Sequence, residues 1–155
     1  MKKMEEYIRC IPDFPEPGIM FRDVTSVLQD AEGLKLAIDS MIKILDGVDF
    51  DVVAGTESRG FIFGVPVAYA MGKAFVPVRK KGKLPCETVS EKYALEYGFA
   101  EIEMHKDSIK PGQKVVLIRG GVLGRPPASL LGLRVSDVMH GSPPSVGFEG
   151  ARILS

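Results

Sequence analysis

Two stretches of the chain have apolar patterns and lengths that are typical of helices. Between residues 31 and 45, apolar side chains recur at three- and four-residue steps, which predicts an amphipathic helix that ends before Gly47. The apolar positions of this helix are Leu34, Ile38, Met41, Ile42 and Leu45. The apolar run 61–71 is also of helical length and ends at Gly72, and Pro66 within it predicts a kink.

Three short apolar runs predict buried strands that alternate with these helices. They cover residues 50–54, 74–78 and 114–118, and the last of them is the most convincing. An alternation of helix and strand is typical of a parallel sheet with flanking helices. The chain is therefore predicted to have an α/β fold.

Other segments fall outside this alternation. The segment Pro12-Asp-Phe-Pro-Glu-Pro-Gly18 has three prolines, so it is predicted to follow an extended, turned path. Residues 87–94 are polar and have no clear period, which predicts a mobile loop. Residues 94–98 and 100–104 are predicted to be the arms of a hairpin, because the second of them alternates in the manner of a strand.

Composition and charge limit the classes of function. A length of 155 residues, 45% of them apolar and 26% charged, suits one soluble globular domain, and the net charge of zero provides no field that would attract nucleic acid or acidic membranes. Cys10, Cys86, His105 and His140 show neither metal-ligand spacing nor a disulfide framework, so no metal site is predicted. Because neither a membrane span nor the apolar core of a signal peptide occurs, a cytoplasmic location is expected.

A polar turn between the first predicted strand and the second helix is a candidate anion site. The turn Thr56-Glu-Ser-Arg-Gly60 would aim backbone N–H groups and a helix N-terminus at an anion, and the guanidinium of Arg59 suits phosphate oxygens. The alternative is an ordinary strand-to-helix turn with a solvated arginine. No dinucleotide or P-loop glycine fingerprint occurs in the chain.

Two further segments carry candidate chemistry. The run Arg79-Lys-Lys-Gly-Lys-Leu-Pro85 is predicted to follow a parallel strand at its carboxyl end, where open α/β sheets bind ligands. It indicates either a phosphate-rich substrate or a solvated run of charges. In the segment from Ile19 onwards, Phe21 could offer a ring face to a ligand beside Arg22 and Asp23, or it could be a core residue next to a surface ion pair.

Four motifs, in this order, resemble the adenine phosphoribosyltransferase family. They are Ile11-Pro-Asp-Phe-Pro-Glu-Pro-Gly-Ile-Met-Phe-Arg-Asp-Val-Thr25, Ala54-Gly-Thr-Glu-Ser-Arg-Gly-Phe61, Arg79-Lys-Lys-Gly-Lys-Leu-Pro85 and Leu95-Glu-Tyr-Gly98. The resemblance covers residues 7–118. It implies a type I phosphoribosyltransferase fold, a twisted parallel sheet with flanking helices, a small hood at residues 7–28 and a flexible lid at residues 84–104. It also implies a homodimer.

The resemblance implies a reaction and assigns roles to residues. Such enzymes transfer phosphoribose from phosphoribosyl pyrophosphate to adenine, giving AMP and pyrophosphate, with Mg²⁺ carried by the substrate pyrophosphate. Adenine would be held by backbone groups near Met20 and Arg22 and by the ring of Phe21. Pyrophosphate and ribose would be bound by Glu57, Ser58, Arg59, Gly60, Arg79, Lys80, Lys83 and Tyr97, with Arg79 acting in its own subunit or towards the other subunit of a homodimer. Glu96 would be the acid or base beside the purine.

The resemblance ends at Ile118. The family continues there with Val-Asp-Asp, two variable residues and Ala-Thr-Gly-Gly-Thr, which bind the ribose hydroxyls and the 5′-phosphate. This chain instead has Arg119-Gly-Gly-Val-Leu-Gly-Arg-Pro-Pro127, and no lysine occurs after Lys114. The tail 119–155 is interpreted as a wrong reading frame, an altered splice or a fused segment, and the alternative is a family member with a rebuilt phosphate site.

Three functional hypotheses follow. The first is an adenine phosphoribosyltransferase of purine salvage with impaired activity. The second is a non-catalytic module that binds adenine or dimerises, and the third is a truncated product without function. The tail is expected to contribute one replacement strand near residues 130–135, no covering helix, and little order elsewhere.

Overall fold

The computed structural model describes residues 2–95, 98–120 and 133–140. These residues form two compact units, which are described separately. The first unit contains the chain up to Asp46, and the second contains Gly47–Gly120 together with most of the last strand. Among the described residues, no helix combines the length and the apolar character needed to cross a bilayer.

The first unit consists of a short 3₁₀ helix, two strands and two helices. The 3₁₀ helix is Met4–Glu6, and the other elements are β1 (Arg9–Pro12), β2 (Met20–Asp23), α1 (Thr25–Leu28) and α2 (Ala31–Ile44). The two strands form an antiparallel ribbon in which Ile11 lies opposite Phe21. The proline-rich segment between them turns as predicted, because the N–H of Gly18 donates to the Asp13 carboxylate at 2.7 Å.

Helix α2 confirms the helix predicted between residues 31 and 45. It begins where the carboxylate of Asp30 accepts hydrogen bonds from the N–H groups of Glu32 and Gly33, an N-cap that satisfies two free donors. Its buried stripe is Gly33, Ala37 and Met41, and the larger side chains of Leu34, Ile38 and Ile42 flank it half-buried. The stripe begins at a glycine because the ring of Tyr7 lies where a Cβ of residue 33 would be.

The second unit is a six-stranded mixed sheet with one helix. Its elements are β3 (Val52–Thr56), α3 (Arg59–Ala70), β4 (Ala74–Lys80), β5 (Thr88–Leu95), β6 (Gly98–His105), β7 (Lys114–Gly120) and β8 (Leu133–His140). The strand order is β5-β6-β4-β3-β7-β8. The central strand β3 is parallel to both β4 and β7, whereas β6 is antiparallel to β4 and to β5. The parallel sheet predicted from the sequence is therefore confirmed for its centre, and an antiparallel hairpin extends it.

The helix α3 packs on one face of this parallel centre. Its side chains Phe63 and Val67 are fully buried, as is Val53 of β3. The helix approaches the sheet closely because Gly55 of β3 and Gly60 of α3 both lack a side chain at the contact. The other apolar cluster of the sheet consists of Val52, Ala54, Val76, Val78, Met104 and Val115.

Three predictions about the second unit are wrong. The first arm of the hairpin, predicted at residues 94–98, is the strand β5, which ends at Leu95. Residues 87–94 do not form a loop: most of them belong to β5, which pairs with β6 from Thr88 to Leu95. In the part of β5 whose burial is described, the exposed Ser90 and Lys92 flank the partly buried Glu91, and pairing with β6 supplies the backbone hydrogen bonds that the polar composition did not predict. Arg79 and Lys80 do not follow β4 but form its last two positions, because they pair with Glu103 and Ile102 of β6.

The tail contributes one described strand. β8 spans Leu133–His140 and lies beside β7, so the strand expected near residues 130–135 begins slightly later and is longer. The expectations for residues 121–132 and 141–155 lie outside the described residues.

Candidate active site

The candidate site of the second unit lies where β3 and β4 end side by side. Thr56, the last residue of β3, pairs with Val78, and the N–H of Glu57 donates to the Val78 carbonyl at 2.9 Å. Only Glu57 and Ser58 separate β3 from Arg59, the first residue of α3, and the peptide bond between these two residues is cis. The short connection places the start of a helix directly at the carboxyl edge of a parallel sheet, where ligands bind in such folds.

The N-terminus of α3 offers backbone donors at this edge. Ser58 is the N-cap residue, but its side chain forms no capping hydrogen bond, and the first N–H groups of a helix have no acceptor within it. The partial positive charge of the helix dipole adds to these donors. The half-buried side chain of Arg59 begins in the same turn. This arrangement has the chemistry of an anion site.

The close packing of α3 on the sheet leaves no room for a side chain at Gly60. A Cβ at this residue would lie 2.4 Å from the carbonyl oxygen of Ile118 and 3.0 Å from the carbonyl carbon of Gly55. Both contacts are with backbone atoms of adjacent strands, so neither can move away as a side chain could. Gly60 therefore holds the first turn of α3 against β3 and β7, which sets the position of the N–H groups described above.

The carboxylate of Glu57 orients the basic residues at the end of β4. Its oxygens accept hydrogen bonds from the N–H of Lys80 at 3.1 Å and from Nε and Nη2 of Arg79 at 3.4 and 3.5 Å, and the Lys83 ammonium lies 3.9 Å away. The Lys80 N–H and, after it, the Arg79 guanidinium lower the pKa of Glu57 below its ordinary value. Glu57 thus lies in the turn to which the resemblance assigns pyrophosphate binding, and in this structure its carboxylate contacts three basic residues.

Two carboxylates that the sequence did not single out lie on β6 beside the same basic segment. Glu101 accepts from the Lys81 ammonium at 2.6 Å and from the Ser90 hydroxyl at 2.8 Å, contacts that lower its pKa. Glu103 is buried and accepts hydrogen bonds from the turn that follows Lys81. The alternating pattern of β6 indicated only that these two side chains share a face of the strand.

Three of the four cationic side chains in the basic segment 79–83 form ion pairs with carboxylates. Arg79, Lys81 and Lys83 each have a carboxylate within ion-pair distance. No carboxylate of the described residues lies within that distance of the exposed side chain of Lys80. The segment is therefore held in a fixed shape, and it still carries positive charge towards the solvent at the carboxyl edge of the sheet.

The residues implied in adenine binding lie together on β2 of the first unit. Met20 and Arg22 are exposed, and Phe21 between them is half-buried with its ring 5.1 Å from that of Phe14, in an edge-to-face contact. Because β1 is the only described strand that pairs with β2, the other edge of β2 keeps its backbone groups unpaired by any strand described here. The ring of Phe21 is thus partly exposed, which is compatible both with contact to a ligand and with a role in packing. Asp23 accepts a hydrogen bond from the N–H of Thr25.

The structure thus gathers the implied site residues into two groups and leaves two residues out. Glu57, Ser58, Arg59, Gly60, Arg79, Lys80 and Lys83 meet at one edge of the second unit, and Met20, Phe21 and Arg22 share one strand of the first. Glu96 and Tyr97 lie outside the described residues, between β5 and β6. In the described ranges, no group of three or more His, Cys, Asp or Glu side chains lies close enough to hold a metal ion.

Comparison with known proteins identifies relatives at high identity. No family model matches this chain. The adenine phosphoribosyltransferase of Butyrivibrio fibrisolvens is 78% identical to it over 118 residues, which cover 76% of this chain and 66% of that relative. The corresponding protein of Agathobacter rectalis is 76% identical over 118 residues and is covered to 68% of its length. The chain therefore spans about two thirds of the length of the curated relatives it matches.

Solved structures give the same result. The adenine phosphoribosyltransferase of Thermoanaerobacter pseudethanolicus is similar with a TM-score of 0.70 at 52% identity, over 74% of this chain and 69% of that one. The enzyme of Saccharomyces cerevisiae is similar with a TM-score of 0.70 at 36% identity, over 74% and 67% of the two chains. The mixed sheet with its flanking helix is thus the type I phosphoribosyltransferase fold. The sequence identity and the fold together show that this chain belongs to the adenine phosphoribosyltransferase family.

Proposed function

We propose that this chain acts in purine salvage in the cytoplasm, where it transfers phosphoribose from phosphoribosyl pyrophosphate to adenine, and that its activity is impaired. The observation that carries the proposal is the meeting of the α3 N-terminus with Arg79 and Lys83 at the carboxyl ends of β3 and β4. The impairment is inferred from the absence of the Asp-Asp and Ala-Thr-Gly-Gly-Thr sequence after Ile118. Family membership supports the choice of substrates.

The site residues suit the departure of pyrophosphate from a sugar. As the bond from the anomeric carbon to pyrophosphate breaks, negative charge grows on the leaving group while the sugar becomes cationic. The N–H groups at the start of α3 and the guanidinium of Arg59 would stabilise that charge from one side, and Arg79 and Lys83 from the other. Mg²⁺ would arrive on the polyphosphate and neutralise part of its charge.

The remaining groups would serve the adenine and the sugar. Backbone groups of Met20 and Arg22 at the open edge of β2 would hold the purine, with the ring of Phe21 against it. The yeast relative was solved in complex with adenine and an iminoaltritol bisphosphate. Glu96 would exchange a proton with the purine and Tyr97 would lie near the sugar. Closure over the site of the lid that the resemblance implies, in the part of the hairpin that does not pair with β4, would keep water from the cationic sugar.

The formation of AMP from labelled adenine and phosphoribosyl pyrophosphate by the purified chain tests this proposal. Slow but measurable formation that requires both substrates and Mg²⁺ is the expected result. Adenine binding without any turnover would instead support the non-catalytic binding module. A non-cooperative thermal melt without binding of either substrate would support a product without function.

Arg59→Ala should weaken the binding of magnesium pyrophosphate. A charge-assisted hydrogen bond contributes about 1.5–3 kcal/mol, so a loss of roughly tenfold or more in affinity is expected in calorimetric titration. Lys110→Ala is the matched control, because Lys110 precedes the amino end of β7 and thus lies at the opposite edge of the same sheet. Equal affinity in the two variants would return Arg59 to the interpretation of a solvated arginine.

The contribution of Phe21 to adenine binding can be separated from its contribution to packing. Phe21→Leu keeps an apolar side chain but removes the ring face, and it should weaken adenine binding by about three- to tenfold, since aromatic stacking contributes about 0.5–1.5 kcal/mol. Phe21→Tyr keeps the ring and should bind nearly as the parent does. Unchanged affinity in Phe21→Leu, measured by titration with adenine, would show that the ring serves packing alone.

A homodimer is supported by the outer face of α3. Ile62, Val65 and Tyr69 lie at helical spacing on this face and are 42%, 47% and 88% exposed. We expect this apolar face to contact a second copy of the chain, so Val65→Asp should shift the sedimentation coefficient from dimer to monomer. Ile44→Asp, a change at another exposed apolar residue in α2, is the control and should leave the dimer intact. A dimer that survives Val65→Asp would contradict this assignment.

A further inference from the structure

Glu103 is a buried carboxylate that binds the turn after the basic strand. Its side chain is only 4% exposed. One oxygen accepts hydrogen bonds from the N–H groups of Gly82, Lys83 and Leu84 at 3.1, 3.2 and 3.2 Å, and the other accepts from the Thr88 hydroxyl at 3.4 Å. Three consecutive N–H groups that converge on one oxygen form a backbone nest of the kind that binds anions. In this chain the nest is occupied by the protein's own carboxylate.

The turn needs this carboxylate to keep its shape. Gly82 has a φ of +83°, and the three N–H groups would lose their acceptor if Glu103 were removed. A buried carboxylate is costly unless it is fully hydrogen-bonded, so Glu103 and the nest depend on each other. The bond from Thr88, at the start of β5, joins the base of the hairpin to the same turn.

The ordered turn also sets the positions of the cationic side chains of Arg79 and Lys83. The carbonyl of Lys83 accepts a hydrogen bond from Nη1 of Arg79 at 3.4 Å, while Nε and Nη2 of the same guanidinium face Glu57. The Lys83 ammonium lies 3.9 Å from Glu57. The guanidinium is therefore held between Glu57 and the backbone of the turn, and Glu103 fixes that backbone.

We propose that Glu103 is a positioning residue for the polyphosphate site, one that acts through the Gly82–Leu84 turn to aim Arg79 and Lys83. The inference rests on the proposed function for the identity of the anion. In this role Glu103 does not contact the substrate. It acts on Arg79 and Lys83 through the backbone of the turn, to which its carboxylate is hydrogen-bonded.

Whether Glu103→Gln weakens or tightens pyrophosphate binding shows whether Glu103 acts by positioning the turn or by its negative charge. Glu103→Gln keeps the shape of the side chain, and its amide can donate to the Thr88 hydroxyl while its oxygen still faces the nest. A residue that acted only through its negative charge would, once neutral, tighten the binding of an anion. A positioning residue should weaken it. We expect the affinity for magnesium pyrophosphate to fall by about tenfold, because weaker hydrogen bonds leave the turn less ordered.

Hydrogen exchange measures the turn itself. The amide protons of residues 82–84 should exchange at least several-fold faster in Glu103→Gln than in the parent, since their protection comes from this acceptor. Glu87→Gln is the charge-matched control: Glu87 is an exposed carboxylate that contacts Lys106, and its loss leaves the nest intact. Both the exchange rates and the affinity of this control should stay close to those of the parent, or the affinity should rise slightly.

A second variant perturbs the turn without changing any charge. At Gly82 a Cβ would meet nothing within 4 Å, so Gly82→Ala strains the backbone only through the positive φ. It should weaken pyrophosphate binding in the same direction as Glu103→Gln. The double variant should lose less than the sum of the two single losses, because both act on one turn.

The outcomes separate this inference from the proposed function. Unchanged or tighter pyrophosphate binding in Glu103→Gln, with a parent that binds, would overturn the positioning role while the proposed function stands. A parent that binds no pyrophosphate would overturn the proposed function and the anion-aiming role together. In that case faster exchange at residues 82–84 would still assign the order of the turn to Glu103, and equal exchange would overturn that assignment as well.

Discussion

A chimeric chain in which residues 119–128 are replaced by Val-Asp-Asp, two variable residues and Ala-Thr-Gly-Gly-Thr should form AMP at least about a hundredfold faster than this chain. The resemblance to the family implies that these residues bind the ribose hydroxyls and the 5′-phosphate. Each lost charge-assisted hydrogen bond is worth about 1.5–3 kcal/mol, so two of them already correspond to roughly a hundredfold in transition-state binding. The relevant measurement is kcat/KM for phosphoribosyl pyrophosphate.

The position of the replaced segment explains why the effect should be large. Ile118 of β7 pairs with Gly55 of β3, so the replaced segment begins at the same edge of the sheet as the start of α3. A second chimera with Asn-Asn in place of Asp-Asp is the control, and it should recover only part of the rate. Turnover of this chain within tenfold of the full chimera would show that its own residues rebuild the phosphate site.

Gly60→Ala should lower both the stability of the second unit and the affinity for pyrophosphate. The added Cβ would lie 2.4 Å from the Ile118 carbonyl oxygen, so α3 must move away from the sheet. Overpacking of this kind costs about 1–3 kcal/mol, which corresponds to a fall in Tm of several degrees for a chain of this size. The shift would also move the N–H groups at the start of α3 away from the anion.

Gly64→Ala is the matched comparison on the same helix. There the nearest atom to the added Cβ, at 2.7 Å, belongs to the ring of Phe75, a side chain that can tilt. Alanine is also favoured over glycine within a helix by up to about 1 kcal/mol, so the net loss of stability should be much smaller. Calorimetric melting and pyrophosphate titration of both variants test the pair. Equal losses in the two variants would contradict a specific role of Gly60 at the site.

The elements with a strong local pattern were predicted well. Helix α2 followed from its apolar period, whereas the parallel strands β3, β4 and β7 and the helix after the polar turn followed from continuous apolar runs of suitable length. The boundaries were less accurate, since α3 begins at Arg59 and β4 continues to Lys80. Both shifts come from pairing and packing partners that are distant in the sequence.

The hairpin shows where local pattern fails. Residues 88–95 have the composition of a polar loop, but they form β5 because β6 pairs with them over the whole length of both strands. The backbone hydrogen bonds of this pair do not depend on apolar side chains, so the first arm was predicted at residues 94–98, too late in the chain. The second arm alternates and was predicted with nearly its observed bounds.

By itself, the sequence determined the parallel centre of the sheet and the types of residue at the candidate site, because periodicity and short motifs are local properties. Only the tertiary structure decided how the charges of that site are held. Glu57 meets Arg79, and Glu103 meets Gly82–Leu84, across about 20 positions of the chain, and these contacts exist because strand register brings the residues together. Register depends on the energy of the whole sheet, which no single segment encodes.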